Sequence, residues 1–318
     1  MKFFYPMAVA IFVFVQACAF AADTYPTRPV RLIVPYAPGG SSDITARAVG
    51  QKLAELLGQS FVIDSRPGAA SIIGTEIAAH APADGQTLII SDPAFTINFI
   101  AYAKPSYAIA DFKPVSLLAT TPHMLLAHPS FAHSLKELLA MPKAQTSKFA
   151  MGTTGQGPYM IYEWLRSKTG ITFNEVPYKG GGPALIDAMA NQIPLVFTPV
   201  AGGAPYLKSG RLKGVGITTA VRHPLVADVP TFRESGVPDF VVSHWFGILA
   251  PAGTPQNVVT KLNAAVRTAL TAPEVRDRFT TLALDVTPSS EDEFRSLIDR
   301  ELKRWKEVMT QTDVRIEQ

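Results

Sequence analysis

Short apolar runs alternate with amphipathic stretches along nearly the whole chain, and the two periods predict alternating strands and helices. The run Arg31-Leu32-Ile33-Val34 predicts a strand, and Ile44, Ala48, Leu53, Leu56 and Leu57 share one face of a predicted helix over 44–57 that Gly58 stops. Phe61-Val62-Ile63 predicts a second strand, a turn follows at 66–70, and a short helix is expected over 71–80. Thr87-Leu88-Ile89-Ile90 predicts a third strand, ending at Ser91-Asp92-Pro93. The chain then reads as extended over 115–118 and 124–127, with Thr120-Thr121-Pro122 splitting the two. This is the expected first passage between two lobes.

The pattern restarts beyond it. A helix over 134–140, a strand over 148–151, a Gly/Thr loop and a helix over 159–168 are predicted in turn. They are followed by a strand at 173–177, a glycine loop at 178–183, a helix to about 190 and a strand at 194–198. The run at 241–250 is the expected return crossing. Thr254 reads as the cap of a helix to about 270 with Pro255 at its first position, and Ser290 with Glu293 as a capping box for a helix over 291–309. The stripe Phe294, Leu297, Ile298, Trp305 and Val308 on that last helix is core-facing. Strand, glycine loop and helix therefore occur twice, in separate halves, which predicts an α/β protein of two lobes with mainly parallel sheets flanked by helices, not one extended sheet. The expected division is 22–121 plus 244–318 for one lobe and 122–243 for the other.

The amino terminus changes the picture of where this protein works. One positive charge, Lys2, precedes an apolar run over 3–20 that ends in Ala19-Phe20-Ala21, the form of a secretory signal peptide cleaved after Ala21. Removing it leaves about 297 residues, enough for two lobes, and takes away Cys18, the single cysteine. Disulfides, thiol catalysis and cysteine metal sites are then excluded together. A net charge of +3 with acids and bases interspersed gives no basic tract for nucleic acid. An exported, monomeric protein is the expectation.

Catalytic and cofactor chemistry finds little support. The six histidines, His80, His123, His128, His133, His223 and His244, form no H-E-x-x-H motif, and they are read as surface or locally hydrogen-bonded groups. No G-x-S-x-G elbow and no S-x-x-K motif is present. The glycine loops match neither the dinucleotide nor the P-loop signature. No metal and no cofactor is expected.

What the glycine loops suit is an anion. In Pro35-Tyr36-Ala37-Pro38-Gly39-Gly40-Ser41-Ser42-Asp43, a strand meets a helix start, whose unpaired backbone N–H groups and positive dipole end favour negative charge. The loop Gly152-Thr153-Thr154-Gly155-Gln156-Gly157-Pro158-Tyr159 repeats the grammar. Neither contains Lys or Arg, so neutral donors and dipoles do the recognition. Each charge-assisted hydrogen bond contributes about 1.5–3 kcal/mol, and four or five such bonds bring a small anion to about micromolar affinity after ordering costs. Two such loops facing each other would suit a ligand with a carboxylate at each end.

These residues also carry a resemblance. Tyr25-Pro26-Thr27-Arg28-Pro29-Val30-Arg31-Leu32-Ile33-Val34-Pro35-Tyr36, with Pro38-Gly39-Gly40-Ser41-Ser42-Asp43, closely resembles the opening of the Bug-type extracytoplasmic solute receptors, the binding components of tripartite tricarboxylate transporters. Matches continue in order through Arg66-Pro67-Gly68-Ala69, Ala83-Asp84-Gly85, Asp111-Phe112, Val176-Pro177-Tyr178-Lys179-Gly180, Pro230-Thr231 and Ala250-Pro251-Ala252-Gly253-Thr254-Pro255. They cover essentially the whole mature chain.

The resemblance implies a two-lobed periplasmic binding protein, type II-like, that closes on a small carboxylate and hands it to the membrane subunits of the transporter. Carried over, Tyr36 would pack on the ligand, Gly39, Gly40, Ser41 and Ser42 would hold one carboxylate, and Asp43 would brace the loop. Ala69 and Ala70 would line the same lobe, while Thr153, Thr154, Gly155, Gln156 and Gly157 would hold the other end. Ser91, Asp92, Tyr159 and Thr198 complete the candidate set. The family's second loop usually carries Ser or Thr and then His, where this chain has Gly157-Pro158-Tyr159-Met160. With Phe95, Phe197 and Trp245 at strand ends, that favours an apolar-bodied ligand such as an aromatic dicarboxylate resembling terephthalate; the alternative is that Tyr159 packs between lobes and Trp245 is core. A sensor signalling to a membrane receptor, or an enzyme on the same scaffold, are the other readings.

Overall fold

The computed structural model describes residues 25–102 and 106–312. The signal-peptide expectation and Cys18 therefore lie outside the described residues. In chain order the elements are β1 (Val30–Val34), α1 (Ser41–Leu57), β2 (Phe61–Ser65), α2 (Ile72–Ala79), β3 (Thr87–Ser91), α3 (Pro93–Ala101) and β4 (Phe112–Ala127). Then come α4 (Leu135–Ala140), α5 (Lys143–Thr146), β5 (Ala150–Thr153), α6 (Gln156–Thr169), β6 (Asn174–Pro177), α7 (Gly181–Met189), β7 (Leu195–Pro199), α8 (Val200–Lys208) and β8 (Lys213–Ile217). The chain returns through β9 (Ser243–Pro251), α9 (Gln256–Thr271), α10 (Pro273–Thr281), β10 (Asp285–Val286) and α11 (Glu291–Thr312).

One strand ties the sheets together. The hydrogen-bonded order is β2-β1-β3-β9-β4-β7-β5-β6, with β8 and β10 also on β4. Residues 112–122 of β4 pair antiparallel with β9, and from His123 the same strand pairs with β7, and from Met124 with β8. The expected break at Thr120-Thr121-Pro122 does not occur. Thr120 and Thr121 stay in register with Trp245 and His244, and the missing Pro122 N–H falls where the strand changes partners. Immediately after it, the His123 N–H is taken up by the Thr218 hydroxyl at 2.9 Å. The parallel pairs lie outboard of this crossing, as β2-β1-β3 in one half and β6-β5-β7 in the other.

Both faces of each sheet are covered, which is why the strands read as continuous apolar runs. In β1, Leu32 and Val34 pack toward α1 and α9, whereas Ile33 packs with Trp245, Leu249, Phe294 and Ile298 on the opposite face. In the second half, Leu125, Met151, Leu195 and Phe197 face α6, and Met124, Leu126 and Val196 face α7 and α8. Helix starts follow local chemistry. Ser134 and Glu137, and Ser290 and Glu293, form the reciprocal capping pairs. Thr254 does not cap α9; the helix begins at Gln256, with extended Pro255 at the cap position. The third strand ends at Ser91 as expected, and the next helix starts at once: the Asp92 carboxylate accepts the Ala94 N–H at 2.9 Å and Pro93 takes the first helical position.

Candidate ligand-binding site

Four helices of eight residues or more begin around one small niche: α1 after β1, α6 after β5, α7 after the 178–180 turn, and α8 after β7. Gly40, Ser41 and Ser42 supply the α1 end, Thr154 and Pro158 the α6 end, Gly181 the α7 end, and Thr198 with Pro199 the α8 end. Tyr36, Asp92 and His244 close the remaining side. Among the described residues no Lys or Arg lines it. Its volume is about 20 Å³, space for roughly one water molecule. Unpaired N–H groups at four helix ends place partial positive charge on this point from several directions, in a buried setting that screens little.

The α1 and α7 ends meet backbone to backbone. The Ala37 N–H donates to the Lys179 carbonyl at 2.9 Å. A Cβ on Gly40 would stand 3.0 Å from the Gly181 nitrogen, and one on Gly182 would overlap the Pro38 carbonyl oxygen. Approach this close is open only to residues without side chains. The sequence marks Gly180-Gly181-Gly182 only as part of a glycine loop; its contact with the first loop is legible only in three dimensions.

A second, larger cavity of about 490 Å³ opens on the other side of Tyr36, within the range of small-molecule sites. Pro35, Gly68, Ala70 and Ser71 line it from the first half, and Thr153, Gly155, Gln156, Tyr159, Glu175, Tyr178 and Lys179 from the second. Thr153 donates its hydroxyl to the Glu175 carboxylate. Burial, aided by the nearby Glu163, raises the Glu175 carboxyl above its ordinary value even though the Thr153 bond favours the ionised form. Beside this cavity Ala69, Ala70 and Ser71 all hold positive φ, at 44°, 52° and 84°. That conformation is costly for residues with a Cβ, and Asn98 braces it by donating its amide to the Ala70 carbonyl at 2.7 Å and the Ser71 hydroxyl at 3.2 Å.

The expected site residues thus separate into groups. Gly40, Ser41, Ser42, Asp92, Thr154 and Thr198 meet at the niche, Ala70, Thr153, Gly155, Gln156 and Tyr159 at the cavity, and Tyr36 borders both. Gly39, Asp43, Ala69, Ser91 and Gly157 line neither. Asp43 accepts the Gly39 N–H at 3.0 Å and pairs with Arg47 at 2.9 Å, so its carboxylate holds the loop. Gly157 packs toward Pro93 and the His244 ring, and the buried Ser91 ends β3 beside Gly247. The three aromatics expected at the cleft line neither space. Phe95 stacks on Tyr107, Trp245 meets Phe294 edge-on in the core, and Phe197 lies against His123. Strand alternation turns Trp245 away from the face that His244 shares with Phe246.

Two histidines correct the sequence reading. His80 is exposed and His128 half-buried, each bonded locally as expected, but His123 and His244 are buried, with 0% and 3% of their surface exposed. Their rings meet edge-on with centroids 5.1 Å apart. Among the described residues neither ring has a hydrogen-bond partner; His244 Nε2 faces an Asp92 oxygen at 3.5 Å. The other Asp92 oxygen accepts the Tyr36 hydroxyl at 3.0 Å. Burial first, and then Asp92, pushes the Tyr36 phenol well above its usual range, so it stays a donor. Burial, with His244 and Arg304 adding to it, pushes His123 well below the usual imidazole range and keeps it neutral. Spacing along the chain carries no signal for this pair, because it is made by the β4–β9 register.

A mixed α/β molecule whose two glycine loops and strand-end hydroxyls converge on a niche lined by no Lys or Arg among the described residues defines a solute-binding protein of the periplasmic type. The chain belongs to the TctC family, the tripartite tricarboxylate transporter family receptors, whose model matches residues 45–314. It is 33% identical over 306 residues to protein BugT of Bordetella pertussis, covering 94% of each chain. It is 34% identical to MatC from Rhodopseudomonas palustris, solved with bound malate, with a TM-score of 0.85 over 89% of this chain and 99% of that one. A second R. palustris protein, solved with adipate, is 31% identical, with a TM-score of 0.87 over 92% and 99%. The family are binding receptors, not enzymes.

Proposed function

We propose that this chain is a periplasmic receptor that captures a small carboxylate, in the first instance a dicarboxylate, and delivers it to the membrane subunits of a tripartite tricarboxylate transporter. The observation that carries the reading is the convergence of four helix N-termini and the Ser41, Ser42, Thr154 and Thr198 hydroxyls on a niche with no Lys or Arg. Such a place recognises an anion by geometry and dipole instead of by an opposite full charge. One carboxylate would seat at the niche and the body would extend past Tyr36 into the 490 Å³ cavity, where Tyr159 offers an aromatic wall. An aromatic dicarboxylate resembling terephthalate belongs to the same proposal. Malate and adipate in two relatives support the ligand class.

Closure is proposed as a hinge between 22–121 plus 244–318 and 122–243. The partner switch of β4 at His123 supports a crossing there, and the ligand would shift the balance toward the closed state by bridging the α1 and α6 ends. A calorimetric and thermal-shift screen of the mature protein against aliphatic dicarboxylates and aromatic acids is expected to yield at least one strongly stabilising ligand. Silence across that panel would count against the proposal.

A further inference from the structure

Asp92 is out of place in an anion site. Its carboxylate is 5% exposed, borders the niche, and can only accept hydrogen bonds when ionised. Tyr36 and the Ala94 N–H satisfy one of its oxygens. The other faces His244 Nε2 at 3.5 Å. A second carboxylate arriving at the niche would meet this buried negative charge at short range, in surroundings where like charges cost far more than in water. The groups that can answer it are few. Facing His244 are Asp92 at the start of α3 and the His123 ring on β4, with the Tyr36 hydroxyl reaching it through Asp92. Arg304 on α11 acts on His123, and among the described residues no Lys or Arg lines the niche. His244 itself is 97% buried, borders the niche and has both ring nitrogens without a hydrogen-bond partner among the described residues.

We propose that His244 takes up one proton from solvent as a carboxylate enters the niche, pairing with Asp92 as imidazolium so that the bound ligand faces a neutral dyad instead of a bare carboxylate. The inference rests on the carboxylate-receptor reading. His244 is thereby a charge-compensating residue of the site, and carboxylate affinity is linked to pH. The sign follows from linkage. An imidazole whose pKa rises on ligand binding strengthens binding below its ligand-free pKa, and the gain is lost as pH rises through its ligand-bound pKa. His123 does not take this role: it faces no carboxylate and burial holds it neutral.

The test uses the mature protein with adipate, malate and terephthalate at about pH 5.5 and about pH 8.5, values that bracket an ordinary imidazole. Expected is an affinity about tenfold tighter at the lower pH, the factor given by a one-unit rise in pKa. Titrations in phosphate and in Tris, whose ionisation heats differ, should show net proton uptake in the wild type. His244→Gln should abolish the pH dependence, while His123→Gln and Glu175→Gln keep it. The Glu175 variant matters because its half-buried carboxyl in the larger cavity would also favour anions in acid. Wild-type binding that ignores pH and takes up no proton overturns the proposal, as does a pH dependence that survives in His244→Gln or vanishes in Glu175→Gln. If no acid binds at either pH, the carboxylate reading itself falls and takes this inference with it.

Discussion

Gly182, at the start of α7, lies against the Pro38 carbonyl oxygen of the β1–α1 loop so closely that no side chain fits between them. The contact joins the two halves through backbone alone, beside the Ala37–Lys179 hydrogen bond. Gly182→Ala should hold the halves apart by the width of a methyl group without disturbing either core. Expected is a loss of carboxylate affinity of at least about tenfold, roughly 1.4 kcal/mol. Calorimetry would record this, with the melting temperature of the ligand-free protein little changed. Full affinity in the variant would show that the contact is not needed for binding.

The niche hydroxyls have a separable contribution. Ser42 and Thr198 are buried at the ends of α1 and β7, and both border the niche. A hydroxyl that donates to an ionised ligand contributes about 1.5–3 kcal/mol, whereas deleting it from the empty protein leaves no charge stranded. Ser42→Ala is therefore expected to weaken binding by that amount in calorimetry while its urea midpoint stays near wild type; Thr198→Val should weaken binding likewise but also lose some stability, because the Thr198 oxygen accepts the buried Thr154 hydroxyl at 3.4 Å. A reversed pattern, stability lost and affinity kept, would make these hydroxyls structural.

The loop over 35–43 was legible because strand, glycine pair and helix start adjoin in the chain, so their geometry is local. The capping pairs Ser134–Glu137 and Ser290–Glu293 were legible for the same reason. Asp92 with Pro93 carried an equally local helix-start signal, obscured by the apolar run of β3 before it. His244 and the glycine run at 180–182 were not legible as site features. Their positions depend on the pairing of β9 with β4 across more than a hundred residues, and on α7 meeting a loop from the other half. Nor does period-2 alternation say which face of a doubly covered strand looks toward a site, which is why the sequence leaves Trp245 open between cleft and core and gives its neighbour His244 no site signal.

Asn98 supports a strained wall of the larger cavity. Ala69, Ala70 and Ser71 all have positive φ, and the Asn98 amide is the side-chain donor that meets the Ala70 carbonyl and the Ser71 hydroxyl. Asn98→Ala should cost about 1–3 kcal/mol, the penalty for leaving such buried groups without their partner. Ala70→Gly should move stability the other way, because glycine adopts φ of 52° without a Cβ clash. Urea denaturation of both variants checks the signs. Destabilisation by Ala70→Gly would mean that the methyl group's packing outweighs the backbone strain.

Glu175 ties the cavity to pH through stability. Burial raises its carboxyl above the ordinary value of 4.5, with Glu163 pushing the same way and the Thr153 hydroxyl opposing. The unfolded chain then loses this proton at lower pH than the folded protein does. Between the two pKa values the native state binds more protons, so this group's contribution to stability falls as pH rises from about 4.5 and levels off once the folded carboxyl has ionised. Glu175→Gln removes the ionisation while its amide oxygen can still accept from Thr153. The variant should melt higher than wild type near pH 7 and at about the same temperature near pH 4, where both side chains are neutral. Thermal melts at the two pH values decide the matter: a variant less stable at both would mean that the Thr153–Glu175 hydrogen bond, not the buried charge, dominates at this position.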